Sequence, residues 1–353
     1  MALRNDKTIE TADLTMECLL CGHKAELRAE ALKGYMEPDT FEIYHCRSCN
    51  TSFSFPQVSD SEIYNHIYRN SSKLPGYWRY ELFADKVRLE NNPLKYLSNE
   101  EEAYWGVKKV LEKIVLDKTQ CKILDVGCGL GYLTYSLRKD NYHAIGVDIS
   151  EKAIAEAKNR FGDYYRKMDV FEEPFAESET FDVIILTEVI EHTDKPIDFV
   201  SQLLKYLNDN GKIIVTTPNK SVDYSECVWN TDLPPIHQWW FTKKSLRVMA
   251  QSLHVDVRFI GFSGFYFKNF QSLKKSTAVY DKNSIVSHLD KEGNPIVTAK
   301  TSQQTSIVRG VLSKIVPLKF VYSIFNRLRN WALYVRSGEG RIICAIFEKN
   351  KEQ

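Results

Sequence analysis

The chain has almost no charge imbalance, no long apolar run and no repeated or low-complexity unit, and each absence narrows what it does. Lys and Arg number 47 against 46 Asp and Glu, a formal net charge of +1. Such a balance argues against a chain built globally for nucleic acid, although a local patch still matters. No segment approaches the roughly 20 apolar residues that cross a bilayer. The first residues, "MALRNDKTIETADLTMECLL", contain no continuous apolar core of signal-peptide length. They also carry acids where a transit peptide would not. The expected location is cytoplasmic, with peripheral attachment to a membrane left open. What is present is an ordinary globular composition, 43% hydrophobic and 26% charged over 353 residues. That length suits about two domains with a sizeable core.

Cysteine is sparse, and half of it is paired. Cys18 and Cys21 stand in "CLLCG", and Cys46 and Cys49 in "HCRSCN", with 24 residues between the pairs. A CxxC lets two thiolates converge on one ion from a tight turn, and Gly22 and Asn50 tolerate the left-handed backbone such a turn needs. The doubled motif predicts a tetrahedral four-cysteine zinc site on a small ribbon. Its role is expected to be structural, because four thiolates leave no open position for substrate. Cys121, Cys128, Cys227 and Cys344 are scattered and read as small buried hydrophobes.

Residues 60–118 are rich in aromatics and helical in pattern, with Tyr104, Val107, Lys108 and Leu111 at helical spacing. From residue 121 strands alternate with helices: "CKILDVG", "HAIGVDIS", "YYRKMDV", "FDVIILTE", "GKIIVTTP" and "VDVRFIGF". Ser150 is placed to cap one of the helices and Gly162 to end it. Alternation of this kind predicts an α/β fold, a doubly wound and mostly parallel sheet. A further strand, "RIICAIFEK", comes after a long interval, and the polar stretch around 280–305 reads as a mobile loop.

"ILDVGCGLGY" closes the first of these strands and opens a helix. Gly127, Gly129 and Gly131 allow a sharp turn and leave room for a ligand at the helix N-terminus. A dinucleotide fingerprint needs its third glycine where Tyr132 stands, so the spacing opposes NAD. Asp125 suits a cationic, amine-bearing ligand. Asp148, ending the second strand, is placed to accept both hydroxyls of a ribose, and Asp169 to receive an adenine amino group.

In this order, "DVGCGLGY", "GVDIS", "KMDV" and "FDVIILTEVIEH" resemble the successive motifs of class I S-adenosylmethionine-dependent methyltransferases. The resemblance covers about residues 100–270 and the last strand. It implies a Rossmann-like, seven-stranded sheet with S-adenosylmethionine as cofactor. It also implies that Asp125, Gly127, Gly129 and Gly131 hold the methionine part, Asp148 the ribose, and Met168 and Asp169 the adenine, with Cys128 and Ile149 also in the cofactor site. The corresponding organisation is a zinc ribbon at 13–58, a helical connector at 59–118, the methyltransferase core at 119–266, and a C-terminal helical segment with the last strand at 267–353.

The fourth core strand runs into "LTEVIEHTDKP", which spaces Glu188, Glu191 and His192 for one face of a helical turn. That turn is expected at the carboxyl edge of the sheet, where ligands bind. "LPPIHQWWFTKKSL" adds His237 after the next strand. Two carboxylates and two imidazoles suit Mg²⁺ or Mn²⁺ with positions left for substrate oxygens. The pattern resembles two groups of metal-dependent O-methyltransferases, one acting on a ubiquinone precursor and one on terminal 2′-hydroxyls of small RNAs. By that resemblance Glu188, Glu191, His192 and His237 are metal ligands. His192 as a general base without an ion, or Glu191 and His192 as orienting groups, remain alternative readings. Trp229, Trp239, Trp240 and Phe241 either wall a substrate pocket or belong to the core.

Between Lys300 and Gly338 lie Lys300, Arg309, Lys314, Lys319, Arg327, Arg329 and Arg336 and no acid. Leu318, Val321, Phe325, Leu328 and Ala332 recur there at helical spacing after Pro317. This is either a packed helix with a solvated basic face or a surface for anionic lipid, a lipid-linked substrate or RNA phosphate. The expected function is methyl transfer to a hydroxyl of a small molecule or glycan. RNA 2′-O-methylation and carbon or nitrogen methylation of a small metabolite are the alternatives. Near-neutral charge and the lack of an evident stacking platform weigh against nucleic acid.

Overall fold

The computed structural model describes residues 15–350 except 59, 173–174, 177–178, 223–232, 269–284, 297–327, 330, 333 and 336–338. Trp229 and Cys227 therefore lie outside the described residues, as does most of the basic segment: Arg329, Leu328 and Ala332 are described, and the other residues named in it are not.

The chain begins with four antiparallel strands, β1 (Thr15–Glu17), β2 (Lys24–Lys33), β3 (Thr40–Cys46) and β4 (Thr51–Phe55). The CxxC pairs sit at the turns, where Gly22 and Asn50 adopt positive φ of 72° and 57°. Helices follow: α1 (Ser61–Arg69), α2 (Trp78–Lys86), α3 (Pro93–Glu100) and α4 (Glu102–Ile114). Asp60 caps α1 and Asn92 caps α3, each accepting from a main-chain N–H of the first turn at 2.9 Å.

The core then alternates as its hydrophobic pattern predicts. β5 (Lys122–Val126) leads to α5 (Tyr132–Lys139), β6 (His143–Asp148) to α6 (Glu151–Phe161), and β7 (Tyr165–Lys167) to β8 (Phe181–Thr187). After α7 (Pro196–Leu204) come β9 (Leu207–Pro218), β10 (Trp239–Trp240), α8 (Lys243–Ser252), β11 (Val255–Phe259), α9 (Ser263–Lys268) and finally β12 (Ile342–Lys349). The Ser150 hydroxyl accepts from Ala153 N at 3.2 Å to start α6, and Gly162 at φ 98° ends it. Thr242 and Ser245 cap α8 reciprocally.

The main sheet has seven strands in the order β11-β12-β9-β8-β5-β6-β7. β12 is antiparallel to both neighbours and the other pairings are parallel. Strand order reverses between β5 and β8, the switch point at which open α/β sheets bind ligands. Helices α3, α4, α5, α6 and α9 pack one face through Leu97, Val107, Leu137, Ala157 and Phe265. The other face carries α7, α8 and the ribbon.

Two features depart from the sequence pattern. β10 leaves the core to join the ribbon, with Trp239 opposite Phe53 and Trp240 opposite Ser52, so the ribbon sheet has five strands. Trp239 and Phe241 are fully buried and stack at 5.8 Å; they are core. The stretch expected to be a mobile loop is, over 285–296, a packed segment. Ile285 and Leu289 are buried with Tyr35, Ile63 and Ile67, and His288 N and Leu289 N both donate to the Tyr35 carbonyl. Burial of Ile285 and Leu289 outweighs the polar composition that suggested a loop.

Candidate active site

A cavity of about 240 Å³ opens at the carboxyl ends of β5, β6 and β8. Its floor is the glycine loop. Gly127 and Gly129 have φ of 69° and 50°, a conformation that costs L-residues roughly 1–2 kcal/mol. A Cβ on Gly129 would come within 2.7 Å of the Tyr68 hydroxyl, so only hydrogen leaves the loop open beneath α1.

The two acids expected to grip the cofactor both reach this cavity. Asp125 is buried and accepts from the Thr134 hydroxyl at 2.6 Å. Burial pushes its carboxyl up to about 7, with the Thr134 hydrogen bond pulling the other way. Asp148 accepts from Gly129 N at 2.8 Å and Ser150 N at 2.9 Å. Burial raises it too, against those backbone donors. Cys128, Ile149, Met168 and Asp169 also line the cavity. Gly131 does not. Its φ of 79° starts α5, and a Cβ there would strike the Tyr165 ring and Ala157, so it serves helix–strand packing.

The turn after β8 differs from a simple helical turn. Glu188 takes a left-handed φ of 56°, and Ile190–His192 forms one 3₁₀ turn. Glu188, Glu191 and His192 therefore do not follow one another along a regular α-helical turn. Glu188 and His192 line the cavity, whereas Glu191 is fully buried behind it, accepting from the Thr217 hydroxyl at 3.0 Å. His192 Nδ1 donates to the Ile236 carbonyl at 2.6 Å, which places the proton on Nδ1. Burial, and secondarily His237, lower the His192 pKa to about 3; the Ile236 and Glu188 backbones oppose this in part.

His237 stacks edge-on to His192 at 4.5 Å and sits outside the cavity lining. Among the described residues, no three of Glu188, Glu191, His192 and His237 bring ligand atoms within 4.8 Å of one another. Pairs within the set do approach one another: His192 Nε2 lies 3.9 Å from a Glu191 carboxylate oxygen, and the His192 and His237 rings are 4.5 Å apart.

The cysteines do assemble. Cys18, Cys21, Cys46 and Cys49 hold their sulfurs within 4.8 Å of one another, with Cys18–Cys49 and Cys21–Cys46 both at 3.6 Å. Zinc–sulfur bonds of about 2.3 Å in a tetrahedron require sulfur separations of about 3.8 Å, so the donor set fits zinc. The shared hydrogen bond to Cys18 lowers the Cys49 thiol to about 5 and raises that of Cys18.

Sequence reasoning missed the roof. Tyr64, Tyr68 and Tyr80 come from α1 and α2, and Glu101 and Tyr104 from the start of α4. The spacing of Tyr64 and Tyr68, one helical turn apart, was the available signal. It missed Gln238 as well. This buried side chain donates to the His192 carbonyl at 3.1 Å and accepts from Val58 N at 2.9 Å, joining the ribbon's exit to the turn.

Comparison with known proteins agrees with this arrangement. Residues 95–255 match the Methyltransferase domain family. A ubiquinone biosynthesis O-methyltransferase from Rickettsia conorii is 27% identical over 169 residues, 45% of this chain and 57% of that protein. The enzyme of that name from Idiomarina loihiensis is 32% identical over 106 residues, 29% of this chain and 44% of that protein. The chain thus spans about half the length of the curated relatives it matches. A solved S-adenosylmethionine-dependent methyltransferase from Archaeoglobus fulgidus aligns at 18% identity and TM-score 0.42 over 76% of this chain and 99% of that one. With the strand order and the glycine loop in place, residues 95–255 match a methyltransferase domain.

Proposed function

We propose that the protein transfers a methyl group from S-adenosylmethionine to a hydroxyl of a small molecule or sugar, without a catalytic metal ion. The observation that carries this reading is one cavity lined both by the glycine loop with Asp125 and Asp148 and by His192. In the proposed complex Asp125 faces the cofactor's ammonium, Asp148 its ribose hydroxyls, and Met168 with Asp169 its adenine. The cofactor supplies an electrophilic methyl on a sulfonium. The chain's own groups position the acceptor and take its proton.

His192 is the proposed base. Its Nδ1 proton is committed to Ile236, so Nε2 carries the lone pair, and burial keeps the ring neutral at physiological pH. The acceptor oxygen forms its bond to the methyl carbon as the carbon–sulfur bond breaks. The hydroxyl proton passes to Nε2 and then to water, and the sulfide leaves uncharged. General-base assistance of this type contributes roughly 10²–10⁴-fold. The name shared by the curated relatives supports oxygen as the acceptor atom. The four cysteines are the proposed ligands of a structural zinc ion, which closes the ribbon and takes no part in the chemistry.

The test is transfer of labelled methyl from the cofactor into fractionated cell extract, with mass assignment of the product. Activity that survives a chelator of Mg²⁺ and Mn²⁺, and falls for His192→Ala with cofactor binding retained, is expected. Label on carbon or nitrogen, or activity abolished by chelation and restored by Mg²⁺, would sink the proposal.

A further inference from the structure

A second cavity, of about 720 Å³, lies on the sheet face away from the ribbon, between α3, α4 and the link from β11 into α9. Lys95, Lys108, Lys109, Lys113 and Lys268 line it, against the single carboxylate of Glu112. Glu112 is ion-paired with Lys108. Lys95, Lys109, Lys113 and Lys268 form no ion pair among the described residues. Lys109 and Lys113 stand one helical turn apart on α4, where like charges repel unless an anion lies between them.

One wall of this basic cavity is apolar, and exposed apolar side chains lie near its Lys268 end. Trp105 forms the wall, anchored on Phe262 and Phe265 at 5.5 and 6.2 Å. Phe267, next to Lys268, is 53% exposed, and its ring meets Trp331 at 6.3 Å. Trp331 is itself 39% exposed, with Leu328 at 48% three residues before it and Val335 at 56% four residues after. Tyr334 fixes which way this run faces, since its buried hydroxyl accepts from Phe262 N at 2.7 Å. The exposed apolar residues Phe267, Leu328, Trp331 and Val335 thus stand on the side of Lys268, one of four cavity lysines without an ion pair among the described residues.

We propose that this face binds the anionic surface of a phospholipid bilayer. The lysines meet headgroup phosphates, and the exposed apolar side chains enter the boundary between headgroups and acyl chains. Peripheral membrane attachment needs both terms, apolar area and basic charge, side by side. RNA would use the lysines and stack on Phe267 and Trp331, but the aliphatic Leu328 and Val335 give it nothing, whereas a bilayer engages all four side chains. The inference is independent of the methyl-transfer chemistry.

The test is flotation of the full chain with vesicles of phosphatidylcholine alone or mixed with phosphatidylglycerol. Binding to the anionic vesicles only, weakening as salt rises, is expected. Each of Lys109→Gln, Lys113→Gln and Lys268→Gln should lower partition by about fivefold. Phe267→Ser should lower it at unchanged charge, and none of these should alter cofactor affinity measured by calorimetry. The salt titration of the unaltered chain keeps the proposal testable if a variant fails to fold. No binding, equal binding to both vesicles, or variants that partition like the parent would overturn it. Retention of single-stranded RNA in place of vesicles would overturn it in favour of a nucleic-acid surface.

Discussion

The side-chain amide of Gln238 donates to the main-chain carbonyl of His192 across 3.1 Å, from a position 1% exposed to solvent. The same residue accepts from Val58 N, and its own main-chain N–H donates to the Glu191 carbonyl at 2.8 Å. It therefore holds the proposed base against the ribbon. Gln238→Leu keeps the volume but leaves two buried polar groups unpaired, each costing about 1–3 kcal/mol. The expected outcome is a lower melting temperature and reduced kcat, with the cofactor dissociation constant unchanged. Calorimetry beside initial-rate measurements separates these effects.

Asp125 makes cofactor binding pH-dependent. Burial holds its carboxyl protonated up to about pH 7 in the unliganded protein, well above the ordinary carboxylate range. A cationic ligand needs the carboxylate, so binding below that pH must expel the proton. Affinity should therefore rise with pH, by up to about tenfold per unit, and level off above about 7. Asp148, raised in the same direction, adds to the slope. The sign for stability is opposite. Without ligand, the raised Asp125 value favours the protonated fold, so stability falls as pH climbs toward 7. Isothermal titration and thermal melts across pH 5–8 read the two trends; a flat affinity profile removes Asp125 from the ammonium site.

Gly129→Ala fills the loop from two directions, forcing a side chain into a left-handed backbone and against the Tyr68 hydroxyl. Cofactor affinity should fall by about tenfold or more, the equivalent of the 1–2 kcal/mol strain. Gly131→Ala meets Tyr165 and Ala157 instead and should appear chiefly as lost thermal stability.

Metal analysis of the purified chain should find zinc bound to the four cysteines. Cys46→Ser or prolonged chelation at low pH, where thiolates are protonated, should remove it. A fall in melting temperature on the order of 10 °C is expected, since closure of the ribbon depends on these ligands. Turnover should decline with it through Gln238 and His192. An unchanged melt in the zinc-free protein would show that β-sheet pairing alone holds the ribbon.

Much of this architecture was legible in the residues. The strands of the core announce themselves by β-branched runs such as "KILDV" and "FDVIILT", each followed by a helical period, and the glycine loop and its two acids stand at the strand ends where ligand contacts must come from. The doubled CxxC carries its own geometry. What local pattern could not convey was direction and distance. Nothing in "EVIEH" reveals that Glu188 is left-handed and that Glu191 consequently turns inward to Thr217. Nor does "HQWWF" reveal a strand that pairs with residues 52–53, since pairing between segments so far apart has no local periodicity to betray it. The tyrosine roof was visible as composition but not as a wall, because aromatic side chains at helical spacing look alike in a core and over a cleft.

The two residues of β10 also set an order of events during synthesis. The cysteine-bearing strands leave the ribosome first, yet the outer edge of β4 stays uncovered until Trp239 and Trp240 emerge. An unpaired edge is a template for the wrong neighbour. A nascent or truncated chain ending before this point would expose Phe53 and its strand to other copies, so N-terminal fragments that lack β10 should self-associate more readily than the chain that carries it.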